Sequence, residues 1–324
     1  MLPGSQLPSP SFEVFTPRSE HGIDDLITNG RLSSLAALGP SFVGVHGNGL
    51  RILEHLRCGH CIRPQLHLPR TRSTAASVVE LIDSSLPLGI RDVLILGGRV
   101  GEAAIKDGFA TTLDLVCFVK ERYGARIRVA VCGYPCGARG ECGDYDADLS
   151  ALARQVSVGA ELVVCMPCFD AQTHSSYVSD ARGMGVSVPV LPGVLLIRGP
   201  AGDFRRICRS IDVEIPAWLE RRLKEGSTEA CVHFSPRPHS CAFARARSFP
   251  STRSATCRRL LTGCGAWDPL DRSAIGALGK ELFVTMLREL AAQGAAPPHV
   301  YTLNSADVLD TLSGLGYRPL KHRA

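Results

Sequence analysis

The sequence is poor in the features that mark membrane, secreted or fibrous proteins. In 324 residues no apolar run approaches the ~18 residues of a transmembrane helix. The first residues lack the basic and apolar regions of a secretory signal, so we expect a cytoplasmic protein. The 32 glycines follow no three-residue period, which excludes a collagen-like chain.

Charge and cysteine content narrow the class further. The net charge of +5 is too small to indicate nucleic-acid binding. Thirteen cysteines without a signal peptide are typical of reduced thiols in the cytosol. Cys58 and Cys61 form a CxxC pair, for which a redox motif, a metal site and an incidental connector all remain open. Cys132, Cys136 and Cys142 have no second CxxC at zinc-finger distance, so we expect no structural zinc and assign no metal ligands.

Short apolar segments recur along the chain and predict buried parallel strands, because most are rich in β-branched residues and do not alternate. Helical patterns lie between them, as in βαβ units. The eight segments are Ser11–Phe15, Ser41–Val45, Gln65–Leu68, Asp92–Leu96, Ile127–Tyr134, Leu162–Met166, Val188–Leu191 and Val300–Leu303. Eight units predict a closed (β/α)8 TIM barrel of the α/β class. An open doubly wound sheet is the alternative, although no GxGxxG motif follows the first strand.

One segment interrupts this alternation. Residues 226–268 are rich in Arg, Ser, Pro and Cys, which predicts a disordered insertion in a single barrel domain. We therefore divide the chain into a flexible N-terminus (1–10), barrel strands 1–7 with their helices (11–225), the insertion (226–268) and the last helix and strand (269–324).

Polar residues follow the predicted strands, where a barrel places its active site. One carboxylate, two imidazoles and a phenol are expected at the same mouth. The residues at these strand ends are Glu13, His46, His67, Gly97-Gly98-Arg99, Tyr134, Met166, Gly193 and Asn304.

Several motifs together resemble the methylenetetrahydrofolate reductase family. They are SFEVFTPR (Ser11–Arg18), FATTLDLV (Phe109–Val116), GYPCG (Gly133–Gly137), VGAELVVCMPCFD (Val158–Asp170), PGVLL (Pro192–Leu196), IPAW (Ile215–Trp218) and YTLN (Tyr301–Asn304). The resemblance implies a barrel that binds FAD and reduces 5,10-methylenetetrahydrofolate to 5-methyltetrahydrofolate with NADH or NADPH, in one-carbon and methionine metabolism. It also leads us to expect no regulatory domain after the barrel.

The resemblance also implies roles for individual residues. Glu13 matches the family's general acid, and a dry mouth is expected to raise its pKa. The positions that match the family's cofactor site are His46, His67, Gly98, Arg99, Thr112, Tyr134, Asp148, Arg154 and Gln155. The positions that match its substrate site are Met166, Arg206 and Ser305.

Some of these positions depart from the family's residue types. Gly97 and Gln155 replace cations that bind the diphosphate, Arg99 replaces an aspartate, and Met166 replaces a pterin-binding glutamine. Losing both cations would weaken FAD binding by about 10²–10⁴-fold.

Three hypotheses stay open at this point. The first is an active reductase with a folate substrate. The second is an inactive paralogue that regulates an active partner. The third is a thiol–disulfide enzyme that uses Cys58 and Cys61. A homo-oligomer is also expected from the resemblance, and a membrane partner is not.

Overall fold

The computed structural model is a closed barrel of eight parallel strands. Each strand pairs with the next, and the last pairs with the first. The structure describes residues 9–47, 49–98, 102–136, 142–211, 213–232, 269–315 and 317. Side chains are described for all of these residues except 226–232 and 269–273. The strands are β1 (Ser11–Phe15), β2 (Val43–His46), β3 (Pro64–Pro69), β4 (Asp92–Leu96), β5 (Arg128–Gly133), β6 (Ala160–Pro167), β7 (Val190–Leu195) and β8 (His299–Tyr301). The predicted TIM barrel is confirmed, and the open sheet is wrong.

Helices cover the outside of the barrel. They are α1 (Glu20–Thr28), α2 (Arg31–Ala36), α3 (Leu50–His60), α4 (Ala75–Ser85), α5 (Thr112–Tyr123), α6 (Tyr145–Ser157), α7 (Ala171–Gly183), α8 (Ala201–Ser210), α9 (Ala217–Val232), α10 (Pro269–Ala292) and α11 (Ala306–Gly314). The N-cap of α4 is Thr74, whose side chain accepts from Ser77 N. No helix in the described part of the chain is long and apolar enough to cross a membrane.

Alternation along the strands separates the barrel interior from the helical shell. On β1, Phe12 and Val14 pack in the core cluster beneath the helices, whereas Ser11 and Glu13 point inward. Phe42, Leu94 and Leu191 belong to an apolar cluster that fills the interior near the amino ends of the strands.

Helix α9 overlaps the first residues of the predicted insertion. Helix α9 continues to Val232, past the expected end of the ordered barrel at residue 225. The rest of the predicted insertion, up to residue 268, lies outside the described residues. Helix α11 follows β8 and was not foreseen as a separate element.

Candidate active site

A cavity of about 760 Å³ opens at the carboxyl ends of the strands. Its lining includes five of the predicted site residues, namely Glu13, His46, His67, Tyr134 and Met166, and the backbone of Gly98. These residues come from strands β1, β2, β3 and β6 and from the loops that follow β4 and β5. The barrel thus brings the predicted carboxylate, both imidazoles and the phenol together at one mouth, as expected.

Glu13 is the buried carboxylate of this cavity. Its residue is 5% exposed, and its Oε2 lies 3.9 Å from His299 Nε2. The backbone around it is fixed, because Thr302 Oγ1 donates to Glu13 O at 2.7 Å. Glu13 therefore holds a defined position with its carboxylate facing imidazoles.

The expected rise in the pKa of Glu13 is wrong for this arrangement. Burial raises the pKa of Glu13, but the imidazoles of His299, His67 and His46 together outweigh burial and lower it below its usual value. Ring nitrogens that bear protons favour the charged carboxylate. The sequence suggested a dry site and gave no sign of the third imidazole.

His67 is the most perturbed imidazole at the mouth. It is 1% exposed, and burial lowers its pKa to about 4, so its ring is neutral at pH 7. Neither ring nitrogen has a hydrogen-bond partner among the described residues. A side chain at Gly44 would overlap His67 Nε2, so glycine on β2 makes room for this ring.

His46 lies beside His67 at the top of β2. The two rings meet edge to face with centroids 5.9 Å apart, and His46 also packs on Phe15 at 5.3 Å. His46 lines the cavity and is half-buried. It therefore adds a second imidazole to the mouth beside His67.

His299 and Tyr301 complete the interior and were missed as site residues. His299 is 0% exposed, and its Nδ1 lies 2.9 Å from Ser11 Oγ. Tyr301 donates its hydroxyl to Cys165 O at 3.1 Å. Both lie on β8 in the segment HVYTLN, where period-two alternation from Tyr301 would have placed His299 on the same face.

A smaller cleft adjoins the cavity between β4, β5 and helices α5 and α6. Its lining includes Thr112, Tyr134, Asp148 and Gln155, together with Gly97. Asp148 accepts from Cys142 N through Oδ1, and its buried Oδ2 has no partner among the described residues. An unpaired carboxylate oxygen in a cleft is suited to a ligand hydroxyl donor.

Three predicted residues are not brought to either cavity. Arg154 is exposed on α6, and Arg206 forms an exposed ion pair with Asp203 at 3.1 Å. Ser305 caps α11 by accepting from Asp307 N, and it is hydrogen-bonded to Arg198. The predicted Arg99 lies outside the described residues.

The YTLN segment stabilises the junction between β8 and β1, where the barrel closes. Asn304 donates through Nδ2 to Phe15 O at 2.7 Å and accepts from Phe15 N at 2.9 Å. Its φ of 55° is in the left-handed region, which asparagine tolerates better than most residues. The motif therefore extends the β8–β1 pairing beyond the strands.

The loops that follow β3 and β4 form one wall of the cavity and are joined to each other. Arg70 is 3% exposed and donates to Phe109 O and Ala110 O at 3.1 and 3.0 Å. Ile105 N also donates to Thr71 O at 3.1 Å. The Arg70 guanidinium thus organises the wall through hydrogen bonds to backbone carbonyls.

The CxxC pair lies at the carboxyl end of α3 instead of in a connector. Cys58 is in the last turn, and Cys61 is the C-cap residue with φ of 54°. Both thiols are exposed. A helix carboxyl end disfavours a thiolate, because its dipole is negative there, so this position does not favour redox chemistry.

Comparison with known proteins connects the site to a family. Residues 4–231 match the family model described as methylenetetrahydrofolate reductase. The chain is 30% identical over 234 residues to "Methylenetetrahydrofolate reductase (NADH) 1" of Zea mays, which covers 65% of this chain and 39% of that protein. It is 26% identical over 220 residues to 5,10-methylenetetrahydrofolate reductase of Escherichia coli (strain K12), covering 64% and 71% respectively.

These matches differ in extent. The chain spans about two fifths of the length of the maize relative. Among solved structures, a Clostridium thermocellum protein described as binding two copies of 5-methyl-5,6,7,8-tetrahydrofolic acid matches with a TM-score of 0.58. That match covers 96% of both chains at 9% identity, and it shows similarity of fold alone.

Proposed function

Since the chain belongs to the methylenetetrahydrofolate reductase family, we propose that it reduces 5,10-methylenetetrahydrofolate to 5-methyltetrahydrofolate. The proposal includes FAD as the bound cofactor and NADH or NADPH as the hydride source. It places the reaction in cytoplasmic one-carbon metabolism that supplies methionine. The observation that carries it is the buried Glu13 carboxylate facing a large cavity among three imidazoles.

The residues present fit the ring end and the ribose end of FAD. His67 and Tyr134 both line the mouth, where a flavin ring would meet polar side chains. The unpartnered Asp148 Oδ2 in the adjoining cleft suits a ribose hydroxyl. We therefore assign His67, Tyr134 and Asp148 as the residues that would hold the cofactor.

The diphosphate end has fewer charged partners. Gly97 and the buried Gln155 line the cleft where the family pattern has cations. Replacing Gln155 by Lys would restore one charge-assisted hydrogen bond, worth about 1.5–3 kcal/mol. We expect Gln155→Lys to tighten FAD binding by about 10–10²-fold in a flavin-fluorescence titration. Gln155→Met is the matched control and should not tighten it.

The protein's residues supply the proton chemistry of the reaction. When bound, the flavin supplies hydride-transfer chemistry between the nicotinamide and the one-carbon unit. The methylene bridge opens when its leaving nitrogen is protonated, which requires a donor at the mouth. Glu13 is placed to donate this proton, and the apolar wall of Leu96 and Met166 helps to exclude water.

The lowered pKa of Glu13 sets a condition on this role. At neutral pH the carboxyl is ionised in the uncovered site, so Glu13 has to take up a proton before it can donate one to the folate nitrogen. His67 is unsuited to supply it, because a pKa of about 4 leaves it neutral. The proton must therefore reach Glu13 from another group of the interior.

Glu13→Gln tests the proposal directly. The amide keeps the shape but cannot donate the proton, so we expect folate reduction to fall by about 10²–10⁴-fold. Flavin reduction by NADH or NADPH should persist, because that step needs no proton donor at the folate nitrogen. Stopped-flow absorbance separates the two half-reactions, and Glu54→Gln on the exposed face of α3 is the control. Unchanged folate turnover in Glu13→Gln would contradict the assignment.

The inactive-paralogue hypothesis keeps one observation in its favour. Met166 lines the cavity where the family has a hydrogen-bonding glutamine, and Gln155 supplies no charge. That function predicts a protein that stays colourless with added FAD and oxidises neither NADH nor NADPH. A bound flavin that NAD(P)H bleaches would exclude it.

A further inference from the structure

His299 is a buried titratable residue that the mechanism has not used. It begins β8 inside the barrel, where it pairs in register with Ser11 of β1. Its Nδ1 lies 2.9 Å from Ser11 Oγ, and its residue has no solvent exposure. A buried imidazole without solvent needs partners for both ring nitrogens.

Two aromatic contacts fix the plane of this ring. Phe42 stacks on it at 5.8 Å with an interplanar angle of 20°, and Tyr301 meets it edge-on at 5.0 Å. The Ser11 contact fixes which edge of the ring faces the sheet. The opposite nitrogen, Nε2, has no hydrogen-bond partner among the described residues and lies 3.9 Å from Glu13 Oε2.

This geometry determines how many protons His299 and Glu13 hold between them. If Ser11 Oγ accepts from Nδ1–H, then Nε2 offers Glu13 either a lone pair or a second proton. One proton then lies between Nε2 and Oε2, as an imidazolium beside a carboxylate or as a neutral imidazole beside a carboxylic acid. A separation of 3.9 Å closes to a hydrogen bond with a small movement, as catalytic contacts often do when substrate binds.

We propose that His299 is a positioning residue for Glu13, with which it shares one proton between Nε2 and Oε2, and that Ser11 holds the ring in the required tautomer. The role in turnover rests on the proposed function. The shared proton passes from Nε2 to Oε2 and from there to the folate nitrogen, which leaves the Glu13 carboxylate beside a neutral ring that keeps its Nδ1 proton. A proton from water restores the pair after product release.

The other groups that face Glu13 do not fit this role. Burial raises the pKa of Cys132 on β5 to about 12 and raises that of Tyr301, so both stay neutral. His67 on β3 is neutral as well. His46 on β2 affects the Glu13 carboxyl less than His299 does. No charge is carried by the other polar or sulfur-containing residues of the interior, which are Ser11, Gln65 and Met166.

Infrared titration of the purified protein tests the pair without any reaction. The carboxylic-acid band that is absent in Glu13→Gln reports the protonation of Glu13. His299→Phe keeps the ring shape and both aromatic contacts but removes both nitrogens. We expect it to raise the pKa of Glu13 by about 1–3. His299→Gln, whose amide can reach Glu13, should recover part of that change.

Matched variants keep the test falsifiable. His174→Phe removes another buried imidazole, on α7, and should leave the Glu13 band unchanged. Ser11→Ala removes only the Nδ1 partner and should move the titration upward by less than His299→Phe. If His299→Phe does not fold, the infrared titration of Glu13 in Ser11→Ala alone tests the proposal. An unchanged Glu13 titration in the folded variants overturns the proposal.

Kinetics then separate this inference from the proposed function. His299→Phe should change the pH profile of folate reduction and spare flavin reduction by NAD(P)H. A shifted Glu13 band in a protein that shows no folate turnover would refute the function and leave the pair intact. Normal turnover with an unshifted band would refute the pair alone.

Discussion

Two buried carboxylates at opposite ends of the barrel have opposite surroundings. Asp92, at the start of β4, accepts two hydrogen bonds from Arg63 and two from Arg128, at 2.7–3.0 Å. Glu13, toward the carboxyl ends, faces imidazoles, and its carboxylate contact with His299 is 3.9 Å long. The fully hydrogen-bonded carboxylate of Asp92 supports the fold, whereas the incompletely paired carboxylate of Glu13 can still bind a ligand or transfer a proton.

The difference has a physical origin in the neighbouring side chains. Arg63, just before β3, and Arg128, at the start of β5, reach Asp92 while about half of each side chain stays in water. Such guanidinium groups form planar pairs with both carboxylate oxygens. No arginine or lysine of the described chain forms an ion pair with Glu13. The imidazoles of His299, His67 and His46 are the groups that compensate it instead.

Removing the fully hydrogen-bonded carboxylate should have the largest effect on stability. Asp92→Ala leaves two guanidinium groups facing each other without their anion, so we expect a loss of about 3–5 kcal/mol in the free energy of unfolding. Urea denaturation followed by circular dichroism measures it. Glu13→Gln serves as the comparison and should change stability by less than about 1 kcal/mol, because its carboxylate is incompletely paired. Equal losses would remove the distinction between the two ends.

Acid should weaken the protein through the mouth end. Below pH 6.5 the unfolded chain protonates His67, whereas the folded protein does so only near pH 4. The free energy of unfolding should therefore fall between pH 6.5 and 4, by up to about 3 kcal/mol from this group. His174, with a pKa also lowered to about 4 by burial, adds to the same window.

Two variants show which histidines cause this fall in the free energy of unfolding. Urea midpoints measured across the window should fall less steeply in His67→Gln than in the parent, and the residual slope should shrink again in His67→Gln/His174→Gln. The pKa of Glu13 is lowered in the folded protein. Its contribution to the free energy of unfolding is therefore lost only at a lower pH, below the usual carboxyl range. A parent whose stability is flat from pH 6.5 to 4 would contradict the neutral, buried state of His67.

Exchanging one arginine should have the smallest effect. Arg63→Lys keeps the charge beside Asp92 but loses the paired geometry, and Arg128 still holds both oxygens. We expect a loss of about 1 kcal/mol in the same urea experiment. A loss as large as that of Asp92→Ala would mean that Arg128 does not compensate.

Much of the site could be predicted from strand ends alone. His46, Tyr134 and Met166 follow or end predicted strands, Glu13 and His67 lie within them, and all five line one cavity. Arg206 and Ser305 were placed by resemblance, but their side chains bond locally within or at the start of helices α8 and α11. A motif position fixes a residue's place along the chain and leaves its orientation to the local hydrogen bonds.

The pKa of Glu13 could not be predicted in the same way. The sequence correctly indicated a buried carboxyl, and burial alone would raise its pKa. The lowering depends on how closely three imidazoles approach from β2, β3 and β8, which is a matter of distances. Gly44 contributes to those distances by leaving room for the His67 ring.

The sequence by itself determined the order of eight strands, because short β-branched segments and helical periodicity are local properties of the chain. It also determined which residue types stand at the strand ends. Only the tertiary structure decided that His299 meets Ser11 and Glu13, since closure of the barrel joins β8 to β1 across almost the whole chain. Local patterns carry no record of such a contact, because it arises from strand pairing between distant segments.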